Sequence, residues 1–235
     1  GFQEGVKNIM LWQRQQKQLH PDGSESYEFK PVADVVEVPQ EYELAMEAVL
    51  GQRLQLLLSN SSSESLSALD YLKSQGSGRS SFFAKEQASL AQHTQPENLK
   101  SEEGVDSFLA DVVSVPEQYQ QQVTYFLSDV VIVDSIRTAL KLRPMYEVKT
   151  FVTKDGDTLT DEGVLTGGAK ENVESGVLKR KREIKELSQK REEWAGKLSL
   201  AQASYEKVSA QAKTMEKELE NAKKKHNEQE LLVMG

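Results

Sequence analysis

The chain has 235 residues, 37% of them hydrophobic, with a formal net charge of −8 and a pI near 5.1. That length can bury one or two cores, and the overall acidity excludes a protein that binds nucleic acid over its whole surface, because phosphates are held by clustered Lys and Arg. Absence of cysteine excludes disulfides and thiolate zinc sites. No apolar run approaches the ~20 residues of a membrane span, and the opening GFQEGVKNIM lacks a secretory pattern, so the expectation is a soluble, cytoplasmic protein with no membrane partner.

In chain order, residues 5–19 read as a helix. Residues 33–39, ADVVEVP, return 77 residues later as ADVVSVP at 110–116, identical at six of seven positions. Tyr42 then aligns with Tyr119, Leu50 with Leu127, and the apolar run 54–58 with 131–134. Each copy reads as a short strand, a proline suited to a first helical turn, a helix and a buried strand. The helical faces are Tyr42, Ala45, Val49, Leu50 and Tyr119, Val123, Phe126, Leu127. Ser61 and Glu64 fit a capping box opening a helix with Leu66, Leu69 and Leu72. A strand is expected at 80–84, a polar linker at 85–104, and a hairpin from 146–153 through Asp155-Gly156 to Thr158 and Leu159.

Beyond Leu178 proline disappears and charge dominates. Alternate steps of three and four residues from Ile184 give Leu187, Arg191, Trp194, Leu198, Ala201, Tyr205, Val208, Ala212, Met215, Leu219, Ala222, His226, Gln229 and Val233. All but Arg191, His226 and Gln229 are apolar, the pattern of a coiled-coil seam. Such a helix runs roughly 75 Å and needs a partner helix; lying on the first domain is the other reading of the stripe. The expected fold class is α/β (α+β): two pseudo-repeated subdomains at 1–84 and 105–178, a linker at 85–104, and a long coiled-coil helix at 179–235.

Three local patterns bear on chemistry. Gly163 and Gly168 have the spacing of a phosphate loop, but Ala169 stands where that loop has its lysine. Gly167 and Gly168 instead suit a turn, or a close approach of another backbone such as a second subunit's strand edge. Lys179, Arg180, Lys181, Arg182 and Lys185 form the strongest basic run, either a solvated helix face or a phosphate contact. His20, His93 and His226 lack metal-ligand spacing, and no nucleophile–base pair or paired carboxylate stands out. No catalytic or metal site is expected.

Taken together, GFQEGVK, VADVVEVPQEYELAMEAVLGQRLQ, GRSSFF at 78–83, DGDTLTDEGVLTGG and SGVLKRKREI resemble, in order, the hinge domains of SMC (structural maintenance of chromosomes) proteins, the bacterial ones above all. The resemblance covers residues 1 to about 187. It implies a homodimer through two symmetric sheet-edge contacts, with Gly167 and Gly168 facing the partner's Gly78, Arg79 and Phe82. It also implies DNA contact at Lys179–Lys185, and a coiled-coil seam (Ile184, Leu187, Trp194, Leu198, Tyr205, Val208, Met215, Leu219) closed by an antiparallel incoming arm expected before Gly1. The function implied is joining two SMC arms in chromosome condensation and segregation, nucleoid-associated and with accessory subunits. No cofactor is expected in this stretch; ATP and Mg would belong to an ATPase head whose motifs are not in this sequence. A DNA-binding module with incidental dimerisation is the alternative, and a nucleotide-binding enzyme fragment the weakest reading because of Ala169.

Overall fold

The computed structural model describes residues 2–20, 27–89, 95–96, 98–168 and 176–233. The chain divides into two compact units, Gly1–Lys181 and Arg182–Gly235.

Helix α1 (Glu4–Leu19) opens the first unit and buries Val6, Ile9 and Trp12 along one side. Gly5 is buried beside them; a Cβ there would run into the Arg79 carbonyl, so this close approach of helix and backbone requires glycine. Strand β1 (Lys30–Pro31), helix α2 (Val32–Val35), helix α3 (Glu43–Leu50), strand β2 (Leu57–Ser59), helix α4 (Ser62–Gln75) and strand β3 (Phe82–Ala84) follow. They build a three-stranded sheet, β1-β2-β3, with β1 antiparallel and β3 parallel to β2.

Helix α5 (Lys85–Ala88) leads to the second lobe: strand β4 (Val105–Phe108), helix α6 (Glu117–Leu127), strand β5 (Val130–Val133), helix α7 (Ile136–Leu142), and strands β6 (Thr150–Thr153), β7 (Thr158–Thr160) and β8 (Leu165–Thr166). The sheet order is β4-β5-β6-β7-β8, antiparallel except for the parallel pair β5–β6. β5 reads VVIV and is buried at every position, as expected of a strand covered on both faces. The fold is a mixed α/β body followed by the long helix α8 (Val177–Val233).

The repeat extends further than its sequence identity. Each lobe runs strand, helical turn, proline-led helix, strand, serine-capped helix, parallel strand. Ser61 Oγ accepts from the Glu64 N–H at 3.2 Å, as the capping box predicts, and Ser135 Oγ accepts from Thr138 at 3.3 Å. Glu37 and Ser114, equivalent at the 77-residue offset, bond each other reciprocally: Glu37 N–H to Ser114 O at 2.9 Å and Ser114 N–H to Glu37 O at 2.8 Å. A residue that bonds its own repeat equivalent in both directions places a local two-fold between the lobes. The equivalent tyrosines also reach across the lobes, to acceptors one position out of step with the 77-residue offset. Tyr42 donates to Asp106 (2.9 Å) in the second lobe, and Tyr119 donates to Glu28 (3.1 Å) in the first.

One expectation needs correction. ADVV is not a strand in either copy: residues 32–35 form one α-helical turn and Leu109–Asp111 a 3-10 turn. Pro31 sets φ at −59° ahead of the first turn, and turning there buries Val32, Val35 and Val36 together, which outweighs the β preference of valine. In α4, Leu66 is 60% exposed while Ala68 and Leu72 are buried. Steps of three residues drift by about 60° around a helix, whereas the i, i+4 pair stays on one face. In the 85–104 segment, expected as a polar linker, Ala88 and Leu99 are buried.

The largest core is shared between lobes. Val32, Ala33, Met46 and Leu50 pack in one cluster with Val123, Leu127, Ile132 and Val152. Separate cores lie under β5–β7, around Phe108 and Phe151, and under α1, where Trp12 stacks on Tyr27 (4.7 Å) and Tyr71 (4.8 Å).

Candidate strand-edge interface and arm root

Among the described residues the two sheets leave four edge strands: β1, β3, β4 and β8. β1 carries Pro31, which has no N–H to offer, and β4 has a register shift between Val105 and Ser107. Both features blunt an edge. β3 and β8 have neither.

β8 pairs with β7 on one side only, and its Leu165 and the preceding Val164 are open to solvent, 52% and 51% exposed. Gly167 and Gly168 continue from it. At Gly167 a Cβ would run into the Asp157 carboxylate, and the Gly168 N–H donates to Asp157 Oδ1 at 3.3 Å. Gly168 has φ +137°, a region nearly closed to other residues, with open space around it. Gly167 is therefore required by a contact inside the chain, and Gly168 by backbone conformation.

β3 pairs with β2 through Leu57–Phe82, Leu58–Phe83 and Ser59–Ala84. Phe82 is half-buried with its ring edge-to-face on Phe29 at 5.6 Å. Arg79 is exposed. Gly78, at φ +83°, lies against Gly5 of α1, so its lack of a side chain also serves the chain's own packing. Gln122, which no sequence pattern singles out, reaches from α6 to Ser59 O at 3.1 Å and Phe83 O at 2.7 Å. It ties the second lobe to β2 and β3.

The basic run divides into different environments. Glu47 Oε1 accepts from the Leu178 N–H at 3.0 Å, capping the start of α8, and Leu178 is buried in the shared core. Lys181 Nζ donates to the carbonyls of Ala33 (2.9 Å), Asp34 (2.8 Å) and Val36 (3.2 Å), which engages all three ammonium protons. Burial raises the Asp34 carboxyl pKa, and Lys181 and Lys30 oppose that rise. Arg180 Nε bonds Gly176 O at 3.3 Å, and Arg182 pairs with Glu186 at 3.2 Å along the helix. Lys179 is half-buried and Lys185 exposed.

In the second unit, Ile184, Leu187, Trp194, Leu198, Tyr205, Val208, Met215 and Leu219 are all between 57% and 73% exposed. A stripe of that size left in water is an unsatisfied helix face.

Two charged clusters were not legible in the sequence. Lys154 lies between Glu41 (3.1 Å) and Asp106 (3.5 Å), over the Tyr42 ring at 4.7 Å. Its pKa rises, chiefly through the hydrogen bond to Glu41. Burial, then the hydrogen bond to Glu28, pushes the Tyr119 phenol up to about 12. Among the described residues no three His, Cys, Asp or Glu side chains converge on a metal site, and no helix is long and apolar enough to cross a membrane.

A duplicated α/β body with an open strand edge in each lobe and a long helix rooted in its core is the design of a hinge domain. The family model of the SMC proteins flexible hinge domain matches residues 25–143. The chain is 32% identical over 229 residues to the chromosome partition protein Smc of Myxococcus xanthus, which covers 94% of this chain and 17% of that protein. Against the Smc of Desulfitobacterium hafniense identity is 27% over 194 residues, 82% of this chain and 16% of that one. Among solved structures, an asymmetric dimer of the Geobacillus stearothermophilus SMC hinge domain matches with TM-score 0.66 and 25% identity, covering 82% of this chain and 75% of that chain. The chain belongs to the SMC hinge family, and it spans about a sixth of the length of these curated relatives.

Proposed function

We propose that this domain is the homodimerisation hinge of an SMC ATPase, joining two coiled-coil arms in chromosome condensation and segregation. The observation that carries the reading is the pair of unblunted edges, β3 in one lobe and β8 in the other, with Leu165 of β8 and the adjoining Val164 exposed. An edge from each lobe lets a two-fold partner satisfy both at once by strand addition. The exposed seam of α8 calls for an antiparallel helix, which the incoming arm of the longer protein would supply. ATP and Mg belong to that protein's head, and this stretch is a connector without catalysis of its own, working in the cytoplasm at the nucleoid with accessory subunits.

Light scattering on the 235-residue chain at micromolar concentration tests the reading. A dimer insensitive to salt is expected, converted to monomer by Leu165→Lys; a monomeric parent chain would sink it. Leu165 is a better probe than Gly167, whose substitution would disturb Asp157 in the same chain.

A second reading, DNA contact at the arm root, rests on the local charge: six basic and two acidic residues from 179 to 190 in a chain of net −8. Lys179, Arg180, Arg182 and Lys185 carry it, with Lys181 held by carbonyls. Affinity for duplex DNA should fall steeply with salt and weaken when those four are neutralised. Affinity unchanged by that substitution would make the run a solvated face.

A further inference from the structure

The repeat exposes an asymmetry between its two copies. In the first, the groove between α2 and α3 is filled by residues 176–181 of the same chain. Val177 and Leu178 pack into the shared core, Glu47 caps the Leu178 N–H, and Lys181 Nζ sits on the carbonyls of Ala33, Asp34 and Val36. At the 77-residue offset the same groove recurs as a cavity of about 220 Å³ lined by Ala110, Val113, Val115, Val123, Thr124 and Leu127. Position by position, Ala110 matches Ala33, Val113 matches Val36, Val123 matches Met46, Thr124 matches Glu47 and Leu127 matches Leu50. The covering shows in burial. Ala33 and Val36 are each 1% exposed, while Ala110 and Val113 are only half-buried.

The chemistry of the second groove is that of the first. Its floor is aliphatic. One wall is a helical turn, Leu109–Asp111, matching the α2 turn whose carbonyls hold an ammonium in the first copy. The carbonyl end of such a turn is electronegative, and Asp111 adds a carboxylate there, balanced by Lys100 at 2.7 Å. A hydroxyl, Thr124, takes the place of the Glu47 carboxylate that receives the incoming helix N–H. The volume is below the roughly 300–1,000 Å³ of small-molecule pockets, and suits the anchor side chains of a helix.

We propose that this second-lobe groove receives the first turn of an amphipathic helix from a partner protein, carrying two adjacent aliphatic residues and a Lys or Arg three positions after the second. That is the chemistry of Val177, Leu178 and Lys181, which the structure displays in the equivalent groove. A second copy of this chain is not the occupant, because each copy's own 176–181 segment is already engaged in cis. The proposal is independent of the dimer reading, which uses β3 and β8.

The test uses the 235-residue chain and a fluorescent peptide of residues 176–190, GVLKRKREIKELSQK, read by anisotropy. Saturable binding is expected. It should weaken about ten- to a hundredfold, the worth of one buried Leu, with the peptide change Leu178→Asp, and also with the chain variant Thr124→Trp, which fills the groove from an exposed position. Binding indifferent to Thr124→Trp overturns the proposal, as does no binding at all. Should Thr124→Trp lower the melting temperature, a photo-crosslinker at peptide position Val177 decides on the unaltered chain. Adducts within 110–127 support the proposal; adducts within 33–50 show displacement of the chain's own root and overturn it. A change in the oligomeric state of the peptide-free chain on Thr124→Trp would place a second copy on the groove, and overturns it likewise.

Discussion

Lys181→Met separates structural from phosphate-binding use of the basic run. Methionine keeps the aliphatic stem and removes only the ammonium, which donates to three carbonyls at 2.9, 2.8 and 3.2 Å. Hydrogen bonds from a charged donor contribute about 1.5–3 kcal/mol each when fully buried. Lys181 is half-buried, so water replaces part of what is lost and the net cost falls to about 1–3 kcal/mol. For a folded unit of this size one kcal/mol shifts the melting temperature by about 2–4 °C, so a drop of roughly 2–12 °C is expected. Circular dichroism melts of the parent, Lys181→Met and Lys179→Met measure it, with the last expected to stay within about 1 °C. A Lys181→Met chain that melts with the parent yet loses DNA affinity would refute the argument, because the ammonium would then act on phosphate and not on the α2 carbonyls.

Other expectations follow from single contacts. Tyr119 keeps its proton more tightly when folded, so its contribution is complete below the unfolded phenol pKa near 10 and is lost as pH rises towards about 12. Urea unfolding between pH 9 and 12 should show a steeper stability loss for the parent than for Tyr119→Phe. Gln122→Leu leaves the carbonyls of Ser59 and Phe83 without this donor, and should cost about 1–3 kcal/mol in urea unfolding. Gly5→Ala places a methyl against the Arg79 carbonyl, and should destabilise by about 1–3 kcal/mol, seen as a lower midpoint at unchanged urea slope.

Much of the architecture could be read from short-range chemistry. The Ser61 cap, the Asp155-Gly156 turn between β6 and β7, the helix of α1 and the duplicated ADVV-x-VP motif each act within a few residues, where periodicity and turn preference are strong signals. The conformation of ADVV itself was not legible, because β-branched residues favour strands until tertiary burial of Val35 and Val36 decides otherwise. The same applies to the site. The glycines of the TGG segment stand out in sequence, but nothing local reveals that Gly167 answers to Asp157 or Gly78 to Gly5. Lys181 looks like its basic neighbours, and only the fold brings it to carbonyls 145 to 148 positions away. Gln122, Lys154 and the reciprocal tyrosines are long-range contacts between lobes, invisible to any pattern of spacing.

The length of the two open edges sets how the proposed dimer should respond to damage. β3 has three residues and β8 two, so one β3–β8 contact offers only a few backbone hydrogen bonds, each contributing about 0.5–1.5 kcal/mol. That is less than the roughly 4–15 kcal/mol lost in bringing two molecules together. Two contacts related by the two-fold share that cost once, and the second forms at high effective concentration. Leu165→Lys in both subunits damages both contacts, but in a mixed pair the unaltered β8 still meets the variant's intact β3. Native mass spectrometry of differently tagged chains should therefore rank parent dimers above mixed pairs, and mixed pairs above variant dimers, with the larger loss at the first step. Mixed pairs as stable as the parent would rule out two cooperating contacts, and variant dimers as stable as the parent would rule out strand-edge pairing through β8.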